Sequence, residues 1–79
     1  MNLNIKDFLF DKKFKITIYD DVINIVNYEK IITLEETRIS LMSSSKIITI
    51  KGEGLIIRKM LENEVLITGK YSEVVFNEI

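Results

Sequence analysis

Four short stretches of this chain carry side chains that could do chemistry, and a scatter of aromatic rings offers a fifth possibility. Ser43-Ser44-Ser45-Lys46 spaces a hydroxyl and an amine as in the S-x-x-K motif of penicillin-recognising acyl enzymes. Gly52-Glu53-Gly54 is a fragment of a glycine-rich phosphate cradle. Asp20-Asp21 and Glu35-Glu36 are the paired carboxylates from which glycoside hydrolysis or calcium binding would be built. Phe14, Tyr19, Tyr28, Tyr71 and Phe76 are rings on which the bases of a single strand could stack.

The surroundings of each argue for a plainer role. Acyl enzymes of the S-x-x-K type need a far longer chain and two further motifs, so the serines read as a turn. A phosphate cradle opens a helix, whereas Leu55-Ile56-Ile57 after the glycines reads as strand. The acidic pairs lack the spaced oxygens and glycine of a calcium loop and read as solvated turns and strand ends. The aromatics are scattered and are not interleaved with arginine, which fits core and rim packing.

Composition points the same way. The chain has no Cys, His, Trp, Pro, Gln or Ala, so it lacks the commonest general base, the thiolate nucleophile and the strongest transition-metal ligands. No catalytic residue, cofactor or metal is expected, and the chain reads as non-enzymatic. Fifteen Ile, five Val and five Thr among 79 residues make nearly a third of it β-branched, a composition suited to pleated strands. Net charge is −1 with the signs interspersed, so no nucleic acid held through its phosphates is expected. No apolar run reaches the length of about 18 residues that marks a membrane span, and none suggests a signal peptide. The expectation is an intracellular protein. A chain this short has a thin core, and self-association is its most accessible additional support.

The elements that position these residues follow a period of two. Phe14-Ile16-Ile18, Ile23-Ile25, Ile32-Leu34, Ile39-Leu41, Ile48-Ile50, Leu55-Ile57, Val65-Ile67 and Val74-Phe76 each alternate with other residues. This spacing predicts an all-β fold of about eight short, mainly antiparallel strands in a small sandwich or barrel-like domain. The echo between Glu29–Leu34 and Ser45–Ile50 leaves a β-roll as the alternative. Asp20-Asp21, Ser43–Ser45, Gly52–Gly54, Glu62–Glu64 and Gly69-Lys70 read as the connections. Residues 1–13 form an N-terminal arm or a short helix, and residues 14–79 a single all-β domain. Apolar residues also fall on the second strand face. Of these, Ile31, Met42, Ile47, Ile56 and Val75 are the candidate interaction surface.

From Phe14 to Phe76 the chain resembles the YabP/YqfC family of sporulation proteins of endospore-forming bacteria. Ile16-Thr17-Ile18 fits the family's opening strand, and Ile25-Val26-Asn27-Tyr28 looks like its I-E-N-H step. Ile48-Thr49-Ile50-Lys51-Gly52-Glu53-Gly54-Leu55-Ile56-Ile57 matches its strand, Gly, gap, Leu, strand pattern, and Met60 follows at a familiar distance. Val65-Leu66-Ile67-Thr68-Gly69 and Val74-Val75-Phe76 match the closing strands. The chain departs from the pattern at Tyr28, usually His, and at Asp20 and Ser45, where Gly is common. The resemblance implies a non-enzymatic protein of the mother cell or forespore and carries over no catalytic residues. The function expected is an interaction or scaffold module, associating with itself or with a spore-envelope protein. The alternative is a small β-barrel that binds a small ligand or single-stranded nucleic acid.

Overall fold

The computed structural model describes residues 13–43 and 45–79. Six strands account for most of them: β1 (Lys15–Tyr19), β2 (Val22–Val26), β3 (Lys30–Leu34), β4 (Arg38–Ser43), β5 (Lys46–Met60) and β6 (Glu64–Glu78). All pairings are antiparallel, in one open sheet of order β1-β2-β6-β5-β4-β3, and no helix occurs among the described residues. The chain is therefore all-β, as its β-branched composition requires. The N-terminal arm or helix expected at 1–13 falls almost wholly outside the described residues.

Two expectations are corrected here. The strands among the described residues number six, because β5 and β6 are each 15 residues long and each absorbs two of the expected short strands. Gly52–Gly54 and Gly69-Lys70, expected to be tight connections, are places where a continuous strand bends. The ladder between β5 and β6 slips between Lys51 and Gly52 and again between Glu53 and Ile56. The described strands form one open antiparallel sheet, where a small sandwich or barrel-like domain, or a β-roll, was expected.

Glycine is needed at the bend because the two backbones approach too closely for a side chain. A Cβ at Gly52 would collide with the backbone of Lys70, and one at Gly69 would lie 2.6 Å from the Gly54 carbonyl oxygen. The bend divides the sheet in two. β1, β2, the first half of β6 and the second half of β5 form one part. β3, β4, the first half of β5 and the second half of β6 form the other.

The sheet must also curl, and a short connection shows why. β2 and β3 stand four places apart in the sheet, which in a flat sheet is about 19 Å. Only Asn27-Tyr28-Glu29 joins them, and four Cα steps reach about 14 Å at full extension. Curling brings the two parts together over one core of Ile23, Ile25, Ile39, Leu41, Ile48, Ile50, Leu55, Val65 and Ile67. Phe14, Ile16, Tyr28, Ile31, Ile57, Tyr71 and Val74 pack around it.

Polar bonds close both ends of the curl. Asn27 N donates to Asn63 O at 2.6 Å, Glu29 N to Met42 O at 2.8 Å, and Tyr28 Oη to Leu61 O at 3.0 Å. Asn27 has φ 66°, a left-handed conformation that Asn tolerates better than most residues, and its Nδ2 donates to Lys13 O. At the other end Gly52 N donates to Thr37 O and Leu55 N to Glu36 O, tying the β3–β4 loop to the bend.

These observations generate a pair of expected outcomes in denaturant unfolding. Gly52→Ala should cost about 2–3 kcal/mol, because backbone rather than a flexible side chain must give way. Ser45→Gly should gain about 0.5–1 kcal/mol, because Ser45 is held at φ 66°. Equal stability of Gly52→Ala and the parent would overturn this account of the bend.

Candidate interaction surface

The alternation of side chains gives the sheet an inner face, carrying the core, and an outer face. The five candidate residues divide between them. Met42 and Ile47 are direct cross-strand partners on the outer face of β4 and β5. Val75 lies opposite Thr49 on the same face, and Ile47 lies opposite Asn77, so Val75 is the diagonal neighbour of Ile47. The structure therefore brings Met42, Ile47 and Val75 into one half-buried apolar patch across three strands. Ser40 and Thr49 border it, their hydroxyls 3.2 Å apart.

The other two candidates stand elsewhere. Ile56 lies opposite Thr68 on the outer face of the first part of the sheet and is 47% exposed. Ile31 lies opposite Leu41 and packs against the core, so it belongs to the inner face. The cause is a register shift between Ile31 and Thr33. That shift breaks the period of two within β3 and leaves Ile32 exposed, although the spacing placed it inside, while Leu34, opposite Ile39 on the inner face, is exposed at the edge of the sheet.

Leu34 also lines a second apolar feature that the sequence did not reveal. A shallow groove of about 380 Å³ runs between the end of β3 and the second half of β5, with Leu55, Ile56 and Ile57 in its wall and Glu35 and Glu36 at its rim. The sequence signal was hidden, because two strands distant in the chain contribute to the groove.

The residues with chemical potential are largely engaged in holding the fold. Ser43 is 2% exposed and its hydroxyl donates to Asn27 O. Asp20-Asp21 forms the β1–β2 turn, and the Asp21 carbonyl accepts from Gly69 N. Glu35 sits 3.7 Å from Arg38 with both side chains more than half exposed, a pair of little energetic weight. Phe14, Tyr28 and Tyr71 pack on the core and so do not form a stacking platform. Another groove, about 570 Å³, opens beside the bend and is lined by Arg38, Lys51, Lys70, Tyr71 and Ser72 together with Glu35 and Glu53. Its cations and carboxylates are mixed, which gives no single-sign field for a charged ligand. Among the described residues no group of acidic side chains is arranged to hold a metal ion, and no helix is long and apolar enough to cross a membrane.

Comparison with family models, curated proteins and solved structures finds no match.

The two faces can be told apart by substitution. Ile31→Glu should cost about 2–4 kcal/mol in denaturant unfolding, since it drives a charge toward the core. Ile47→Glu, on the outer face, should cost less than about 1 kcal/mol. Equal costs would mean that the outer patch is also structural core.

Proposed function

We propose that this protein is a non-enzymatic interaction module of spore formation, acting in the mother cell or forespore. It associates through its sheet with a second copy or with a spore-envelope protein. The family part of this reading rests on the resemblance described above, and one backbone observation supports it. Asp20 and Ser45 occupy the two positions where the family commonly has glycine, and both are left-handed, at φ 50° and φ 66°. Glycine is the residue that takes that conformation without steric cost. Both residues lie in turns between strands, where a glycine would take the same conformation.

The family's usual His is Tyr28 here, and Tyr28 ties the β2–β3 link to the β5–β6 turn through its hydroxyl. A role of that position in holding the link is therefore open to this chain without a His. The interaction part of the reading rests on the Met42–Ile47–Val75 patch, an apolar cluster on the face that does not carry the core.

The test is made in the bacterium that encodes the chain. A fluorescent fusion should accumulate only in sporulating cells, confined to mother cell or forespore, and deletion should lower the yield of resistant spores. Uniform production in growing cells with unaltered spore yield on deletion would overturn the assignment.

A further inference from the structure

Four stretches of strand have one side without a ladder partner among the described residues: β1, β3, the second half of β5 and the second half of β6. Such edges are where sheets add strands, and folds blunt them with bulges, charges or brevity. β3 carries the shift between Ile31 and Thr33. The second half of β5 is irregular between Glu53 and Ile56 and between Ile57 and Lys59, and it bears Arg58 and Lys59. β1 is five residues long. The second half of β6 differs from all three. From Glu73 to Glu78 it matches Lys51 to Lys46 of β5 residue for residue, with no shift.

The sequence of this edge also complements itself. Tyr71-Ser72-Glu73-Val74-Val75-Phe76-Asn77-Glu78-Ile79 reads apolar, two polar, three apolar, two polar, apolar, a palindrome centred on Val75. An antiparallel pair related by a two-fold axis through Val75 sets Val74 opposite Phe76 and Glu73 opposite Asn77 of the second copy. Val75 meets its own counterpart. β-branched against aromatic is a favourable cross-strand pair, and a carboxylate can accept a hydrogen bond from the amide facing it. Moving the axis to Phe76 puts Val74 opposite Glu78, and moving it to Val74 puts Val75 opposite Glu73. One register alone matches like with like along its length. Phe76, half exposed in the single chain at 49%, gains a neighbour in that register.

We propose that Glu73–Glu78 is a self-association edge, at which β6 of a second copy adds antiparallel about a two-fold axis through Val75 and continues the sheet across the dimer. The proposal rests on the self-association reading above and gives it a surface and a symmetry. One ladder of this length falls short of the roughly 1,200–2,000 Å² buried in stable interfaces, so the dimer forms reversibly.

The experiment is sedimentation or light scattering of the full chain over a hundredfold range of concentration, with two variants at exposed Asn77. The parent should pass from monomer to dimer and stop there. Asn77→Asp sets two carboxylates opposite each other at both ends of the ladder and should weaken the dimer about tenfold, while Asn77→Lys should tighten it severalfold. Opposite shifts of this kind, with unchanged thermal midpoints at high dilution, support the proposed register. A mass that climbs beyond the dimer, or Asn77 variants that both associate like the parent, overturns it. If Ile47→Glu abolishes association while the Asn77 variants leave it intact, the outer patch is the interface and the edge is not. A monomer at every concentration removes self-association altogether, leaving the spore-envelope reading to the fusion and deletion experiment.

Discussion

The fold depends on a length constraint. Three residues connect strands that stand four places apart in the sheet order, and a flat sheet of this order cannot be connected by so short a link. The chain meets the constraint by bending its longest hairpin, and that bend in turn requires Gly52 and Gly69, where the two backbones come too close for any Cβ. Core formation follows. A sheet with no second layer among its described residues can bury one face fully only by folding that face upon itself, and Ile25, Leu41, Ile48, Ile50 and Val65 are all at 0% exposure. The hydrophobic core is thus a product of topology as much as of composition.

This arrangement also explains where the polar side chains go. A sheet curled around a thin core has two ends at which connecting loops must be satisfied without a covering helix. Asn27, Tyr28, Ser43 and Asn63 serve one end through hydrogen bonds to loop backbone and to one another. The Ser43 hydroxyl, which in isolation suggests a nucleophile, is thereby committed to the architecture. On the outer face, among exposed charged and polar residues, Met42, Ile47 and Val75 remain as one half-buried apolar cluster.

Much of the strand pattern was legible in the alternation of residues. Ile23 with Ile25, Ile39 with Leu41, and Ile48 with Ile50 are all inward, as their spacing required. The reading lapsed at irregularities that alternation does not encode. At Gly52–Gly54 a glycine cluster looked like a turn, because bends and turns draw on the same freedom of backbone, and only the pairing partner distinguishes them. In β3 a register shift broke the pattern, so that Ile31 opposite Leu41 and Leu34 opposite Ile39 both lie on the inner face while Ile32 between them is exposed. Five candidates for an interaction surface were visible as second-face apolar residues. That three of them meet while two stand apart depends on strand order, which is set by contacts between distant parts of the chain.

β6 follows every one of its partners in the chain yet occupies the middle of the sheet, with β2 on one side and β5 on the other. The four hairpins β1–β2, β3–β4, β4–β5 and β5–β6 can each form from neighbouring residues, but β2 reaches the sheet only through β6, Val22 pairing with Thr68. During synthesis the β1–β2 hairpin therefore waits, with Ile23 and Ile25 uncovered, until β6 has emerged from the ribosome. Non-local pairing of this kind slows folding, and exposed strands of high β-propensity are prone to join the wrong neighbour in the interval. The fold thus concentrates its risk of misassembly in the time before its central strand arrives.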